Sequence, residues 1–391
     1  PEAIWAVLGA LTLCVSGRLP WLEALHAVGK GTDVYLFLTG MMLASELARR
    51  EGLFDYMAVL AARKANGSAT RLFFLLYCVG TVVTILMSND ATAVVLTPAV
   101  LAVVRSVRAE RPLPYLYICA FVANAASFVL PISNPANLVI FREHMPTLAA
   151  WIACFGLPSV ISIVLTYAAL RFLLRASLTQ TIGKEADIPR LSAAGKATGW
   201  GLAMMAVLMV GASALGAPLG WPTFAAGIAV FAGVCMQKRR LLWGYLAEIS
   251  WSVLPLVAGL FVLVEGLQRT GVIDWLAHAM SPLSLDPASQ AGWLSGITVA
   301  LASNLINNLP AGLIAGYTVV AAHAPLHVLN AVLVGIDLGP NLSVTGSLAT
   351  ILWLTALRRE GIDVRALEFL RLGLVAMPPA LLVALAALWL A

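Results

Sequence analysis

Charge is what this chain has least of. Only 11% of its 391 residues are Asp, Glu, Lys or Arg, against 61% hydrophobic, whereas soluble domains average about 25% charged residues. That excludes a soluble globular domain and commits almost the whole chain to a bilayer. The net charge of +5 is too small to imply nucleic acid as a partner. Metal and redox chemistry lack their residues as well. Five cysteines (Cys14, Cys78, Cys119, Cys154, Cys235) stand singly in apolar stretches, with no C-x-x-C pair and no histidine at ligand spacing. Neither an H-E-x-x-H nor a G-x-S-x-G motif is present, so no enzyme and no cofactor is expected. The first apolar stretch has no basic n-region and no A-x-A site, so no cleavable signal is expected.

Apolar runs are what the chain has in abundance. Spans are expected near 3–19, 34–48, 115–141, 147–174, 198–216, 221–236, 245–267, 328–356 and 368–390, since about 20 apolar residues cross a bilayer. Amphipathic connectors fit 52–65 and 271–280. Two further stretches, 72–104 and 290–321, are long enough to enter and leave the membrane, and each carries a polar break near its centre. These breaks are Met87-Ser88-Asn89-Asp90-Ala91-Thr92 and Ile306-Asn307-Asn308-Leu309-Pro310-Ala311. Irregular backbone at membrane depth survives only where protein shields it or it lines a wet cavity. Both stretches are therefore read as re-entrant hairpins.

The basic residues order this layout. Twenty of the 24 Lys and Arg fall on one side of it, and only Arg18, Lys30, Arg142 and Arg269 fall on the other. The rich side is cytoplasmic by the positive-inside rule, and so is the long central loop. Cytoplasmic charge brackets the first hairpin, whereas residues 270 to 357 contain no Lys or Arg, so the second hairpin enters from outside. Local strings repeat as well. LTGMMLASELARREGLFDYMA (38–58) and VAGLFVLVEGLQRTGVIDWLA (257–277) align at an offset of 219, matching Gly40 to Gly259, Glu46 to Glu265, Gly52 to Gly271 and Asp55 to Asp274. The expected fold is an all-α polytopic membrane protein built as an inverted-topology repeat. Residues 1–175 form the first repeat, 176–220 a linker loop and connecting span, and 221–391 the second.

Polar residues inside hydrocarbon are costly and mark function, and broken helices near the midplane supply binding sites in secondary transporters. The first hairpin offers Ser88, Asn89, Asp90 and Thr92. The span 115–141 breaks at Pro131-Ile132-Ser133-Asn134-Pro135-Ala136-Asn137, with Asn124 and Ser127 just before. The second hairpin offers Asn304, Asn307 and Asn308, and the span 328–356 breaks over Asp337 to Ser347, including Asn341, Thr345 and Gly346. Substrate contacts are assigned to Ser88, Asn89, Thr92, Asn124, Ser133, Asn134, Asn137, Asn304, Asn307, Asn308, Asn341, Thr345, Gly346 and Ser347. A carboxylate in low dielectric can take up and release a proton during a cycle, which makes Asp90 and then Asp337 the coupling candidates. Glu46 and Glu265, near helix ends, read first as a cap or scaffold ion pair. No Lys or Arg lies at either tip or either break, so a cation or a neutral polyhydroxyl cargo fits better than an anion.

N-D-A-T-A-V-V-L-T-P-A-V at 89–100 resembles the N-D-G-A-A-L-I-L-T-P pattern of the bacterial arsenite and antimonite efflux permeases, members of the ion transporter superfamily. S-N-P-A-N-L-V at 133–139 and L-G-P-N-L-S-V-T-G-S-L-A-T-I-L-W-L at 338–354 resemble that family's two broken-helix motifs. Ala91 departs from the pattern, which often has Gly there. The S-N-T signature of the superfamily's dicarboxylate carriers reads Ser88-Asn89-Asp90 here. The resemblance covers residues 31–391. It implies a scaffold plus a moving transport domain, and proton-driven export of arsenite and antimonite as neutral hydroxides across a bacterial inner membrane. Some relatives also work with a cytoplasmic arsenite-stimulated ATPase. Oxygen and amide contacts are expected rather than Cys78 or Cys119, because a tight thiolate complex would release its cargo slowly. The alternatives are a sodium–proton antiporter of the same superfamily and a passive metalloid channel.

Overall fold

The computed structural model describes residues 2–141, 145–183, 191–239, 243–249, 251–284 and 290–390. Arg142, Lys184, Arg190 and Arg240 of the charge pattern, and part of the central loop, lie outside the described residues. The chain opens with α1 (Glu2–Val15), α2 (Trp21–Lys30), α3 (Thr32–Arg50) and α4 (Leu53–Ala65). A first hairpin follows: α5 (Ala69–Leu86), the single turn α6 (Asn89–Ala91), a π turn (Thr92–Leu96) and α7 (Thr97–Ser106). Then come α8 (Leu113–Ala125), α9 (Pro135–Ile140) and the long α10 (Leu148–Leu173), with α11 (Ala193–Ala214) beyond the central loop. The order continues through α12 (Gly220–Lys238), the short α13 (Trp243–Glu248), α14 (Val253–Arg269) and α15 (Val272–Ser284). A second hairpin, α16 (Gln290–Ile306) and α17 (Asn308–Ala321), precedes α18 (Leu326–Leu338), α19 (Leu348–Arg359) and α20 (Ala366–Ala387). Among the described residues there is no strand, only an isolated bridge between Ser68 and Thr181.

The protein is all-α, as its composition dictates. Five described helices, α5, α10, α11, α12 and α20, are each long and apolar enough to cross a bilayer. Both hairpins form, and both turn at the polar clusters. The two interrupted spans also form, as α8 with α9 and α18 with α19. Proline sets several of these breaks, because it removes a donor and clashes with the preceding turn. Pro98 follows directly on the π turn, where the helix is widened. Pro135 opens the short helix beyond the first break, and Pro340 lies in the turn Gly339–Asn341 inside the second.

Two details differ from the sequence reading. The stretch 245–267 is not one helix but two, α13 and α14, and the Trp251 indole donates to the Leu246 carbonyl across the bend (2.7 Å). Hydropathy averaged over a span-length window registers its apolar content and passes over a short break such as the one between Glu248 and Val253. The helix α2, which starts after Pro20, had no counterpart in the expected spans.

The matched glycines have matched jobs. α3 packs along α12, and α1 along α14. A methyl group at Gly40 would lie 2.3 Å from the Thr223 carbonyl oxygen, and one at Gly259 would lie 2.8 Å from the Ala6 carbonyl carbon. Gly52 and Gly271 both take left-handed backbone, with φ of +73° and +77°, which glycine adopts without a Cβ clash. Glu46 pairs with Arg49 and Arg50, and Glu265 pairs with Lys30. Both glutamates are thus held in ion pairs. Because the atoms facing Gly40 are backbone, Gly40→Ala is expected to lower stability by about 1–3 kcal/mol. Gly211, in α11, has nothing within 4 Å of an added Cβ, so Gly211→Ala is the neutral comparison. Unfolding midpoints of the two variants in detergent check this; equal midpoints would show that α3 and α12 part freely.

Candidate functional site

The first hairpin tip consumes its own backbone donors. The Ser88 hydroxyl accepts from Ala91 N–H (3.3 Å), and the Asn89 side-chain oxygen accepts from Asp90 N–H (2.9 Å). Thr92 is buried and shares a hydrogen bond with Thr84 (2.8 Å). These bonds leave the Asp90 carboxylate half-buried, with no hydrogen-bond or ion-pair partner among the described residues. An ionisable group so placed is available for exchange with whatever enters beside it.

Something can enter. A cavity of about 520 Å³ runs between α3, the first tip and α19, and Ser88 and Asp90 line it. At its charged end stand Glu46, Arg49, Glu248, Arg359 and Glu360. Arg49 bonds Glu46 (2.6 Å) and also Glu248, while Glu360 accepts from Arg105 (2.8 Å). Four acidic and two basic side chains line the whole cavity. The sequence reading missed most of this wall. Leu352, Thr355, Ala356 and Arg359 make one stripe of α19 at helical spacing, and Leu38, Met42, Ser45 and Arg49 make one of α3. Periodicity could have grouped each stripe, but nothing in it says that the two stripes face each other.

The remaining candidates divide by their partners. Ser133 is buried and donates to the Ile85 carbonyl (3.0 Å), tying the first break to the hairpin arm. Asn134 caps α9, accepting from Ala136 N–H (3.0 Å), and donates to the buried Asp337 carboxylate. Asn137 donates to the Ser127 (2.9 Å) and Leu130 (3.4 Å) carbonyls. Asn124 bonds both Asn341 and Ser347. Asn124 donates to the Asn341 side-chain oxygen (3.1 Å), Ser347 donates to Asn124 (3.1 Å), and Asn341 donates to the Phe121 carbonyl (3.2 Å). All three are essentially solvent-free, so they join α8 to the second break rather than line the cavity. At the second tip, Asn304 holds the Ala300 and Gly339 carbonyls and accepts from Ser343, while Thr345 donates to the Asn304 carbonyl. Asn307 takes left-handed backbone (φ +74°), costly for a residue with a Cβ, and donates to the Thr345 carbonyl (3.4 Å). Asn308 N–H donates to the Gly346 carbonyl (2.8 Å). Of the expected substrate contacts only Ser88 lines the cavity, together with Asp90 of the two coupling candidates.

Comparison with known proteins fits this architecture. Residues 1–336 match the family described as citrate transporter, CitMHS. An arsenical pump membrane protein of Escherichia coli is 27% identical, over 98% of this chain and 92% of its own length. A protein of the same name from Yersinia enterocolitica is 28% identical over 89% of this chain and 84% of its own length. The crystal structure of the Alcanivorax borkumensis YdaH transporter superposes with a TM-score of 0.58, covering 99% of this chain and 97% of that one at 18% identity, which supports the fold alone. With hairpin tips, broken helices and a cavity that reaches the Asp90 carboxylate, the chain is a multi-pass membrane transporter and belongs to the citrate transporter (CitMHS) family.

Proposed function

We propose that this transporter exports arsenite and antimonite as neutral hydroxides in exchange for protons, by alternating access across a bacterial inner membrane. The observation that carries this reading is the Asp90 carboxylate, without a partner among the described residues, at a cavity whose lining is acidic overall. A tricarboxylate such as citrate would meet like charge there, with Arg49 already held by Glu46 and Glu248. A neutral hydroxide needs only donors and acceptors: the Ser88 hydroxyl, which accepts from Ala91 N–H, keeps its proton to give, and Thr355, which donates to the Ile351 carbonyl (2.9 Å), keeps lone pairs to accept. The arsenical pump relatives support the same cargo. In this reading the arginine-rich ends of α3 and α19 face the cytoplasm, and Asp90 trades its proton for cargo.

Packing supports two inverted halves, 1–175 and 221–391, joined through 176–220. The first tip lies against α19 of the second half, while α17 of the second hairpin lies against α9 of the first. Such an exchange suits a moving unit made from both hairpins and both broken helices, set against a scaffold that includes the α3–α12 and α1–α14 pairs.

Arsenite movement into proteoliposomes tests the function, with equal sodium on both sides and an imposed pH gradient. Uphill accumulation into vesicles with an acidic lumen is the expected result. Accumulation driven by a sodium gradient at uniform pH would move the protein to the sodium–proton antiporters. Equilibration without accumulation would make it a channel.

A further inference from the structure

Two short helices occupy equivalent places in the two halves. At the offset of 219, α13 (243–248) falls on residues 24–29, inside α2. α2 connects α1 to α3 as α13 connects α12 to α14, yet each lies against the other half, α2 on α14 and α13 on α3. Each also ends in a charge that serves the other half's matched glutamate. Lys30 pairs with Glu265 (2.7 Å), and Glu248 pairs with Arg49 and Arg50, which hold Glu46 (2.6 and 3.0 Å). Lys30 stands just before α3 and Arg50 ends it, so the 19 residues of α3 set the two junctions about 28 Å apart. That is close to the thickness of a bilayer's hydrocarbon core.

The junctions differ in what else they reach. Lys30 lies over the Tyr317 ring, 6.0 Å from its centroid, and so ties α2 to an arm of the second hairpin. On this side Val264 of α14, the equivalent of the cavity-lining Ser45, is 4% exposed. On the α13 side the cavity intervenes. Glu248 and Ile249 line it, and Arg359 ends the α19 stripe of its wall. Arg359 is exposed and, with Asp90, is one of two lining charges that have no ion pair among the described residues.

α13 is held by polar contacts, because none of its residues is buried. Arg50 donates to the Gly244 carbonyl (3.3 Å) and stands over the Tyr245 ring (5.1 Å). Exposed contacts of this kind are weak one by one, so α13 shifts at little cost. Glu248 gives one oxygen to Arg49 and the other to Arg50. A carboxylate has about four lone-pair sites, which leaves room for a third cation.

We propose that α2 and α13 are the two gates of the transporter, with the α2 gate shut and the α13 gate open in this structure. Arg359 shuts the second gate by meeting Glu248, as Lys30 leaves Tyr317 to open the first. The gates rest on the alternating-access part of the proposed function and not on its cargo. Their test uses neither arsenite nor a gradient, so wrong gates and a wrong cargo are told apart.

The test is maleimide labelling of the purified full-length protein carrying Val264→Cys, scored site by site by mass spectrometry. Val264 is covered while the α2 gate is shut, so its labelling rate follows the population of the opposite state. Lys30→Gln removes the charge over Tyr317 and is expected to raise that rate about fivefold. Arg359→Gln takes the closing contact from the α13 gate and is expected to lower it about fivefold. The double variant should return near the starting rate. Native Cys119, fully buried in α8, labels only on unfolding and should stay silent. Absent shifts, or shifts of the same sign, overturn the proposal. If Lys30→Gln also exposes Cys119, Arg359→Gln alone decides, and a rate it leaves unchanged overturns the gates.

Discussion

Asp90→Asn is expected to abolish uphill arsenite accumulation while leaving the protein folded. The substitution keeps the shape of the side chain and removes only its ability to titrate. Because the carboxylate has no partner among the described residues, nothing is orphaned by the change, and stability should move by less than about 0.5 kcal/mol. Transport should respond far more. About 1.4 kcal/mol is one decade in either a proton or a cargo ratio, so at one proton per cargo a gradient of about two pH units supports about a hundredfold accumulation. The variant should stop at equal concentrations inside and out. Accumulation ratio and unfolding midpoint, measured on the same preparation, separate the two effects. Undiminished accumulation would remove Asp90 from the coupling step.

Asn124→Leu is expected to have the largest effect on stability. Asn124 sits at the end of α8 with both ends of its amide engaged, giving to Asn341 and accepting from Ser347, and all three side chains are buried. Leucine shares its branched shape but strands the Asn341 oxygen away from water and removes one partner of Ser347, whose hydroxyl keeps its bond to Thr350 (3.1 Å). A stranded buried oxygen costs about 1–3 kcal/mol and a lost hydrogen bond about 1 kcal/mol, so a loss of about 2–4 kcal/mol is expected, with poor recovery from the membrane. Asn124→Asp probes the geometry more gently, since it keeps the acceptor for Ser347 and loses the donor to Asn341. If Asn124→Leu unfolds at the wild-type midpoint, the three residues do not clamp the halves. Retained stability with lost arsenite binding would return Asn124 to the cargo site.

The positions of the hairpins and breaks were legible because their signals are local. Asparagine, aspartate and proline inside apolar runs must either be shielded or line water, and a helix cannot pass Pro135 or Pro340 unchanged. Gly40 with Gly259, and Gly52 with Gly271, could be matched before their contacts were known. In each pair the backbone demand, close approach or positive φ, acts within a few residues. The candidate site was less legible. Asn124, Asn341 and Ser347 share the composition of a binding site, yet they satisfy one another across more than 200 residues of chain. Ser88 and Asp90 carry the same kind of polarity and face a cavity. Thr355 and Ser45, also on its wall, gave no signal, because a hydroxyl on an apolar helix can as well bond its own preceding turn.

By itself the sequence determined the bilayer, the helical class, the two hairpins, the two broken spans and the shortage of basic residues at their tips. Each of these follows from hydropathy, charge or backbone chemistry read over one or two turns. Only the tertiary structure decided which polar groups answer each other and which stay open. That depends on faces brought together from distant segments, such as α3 across the cavity from α19 and α8 against the second break. Hydrogen-bond satisfaction belongs to pairs of residues, and a single sequence records only the members.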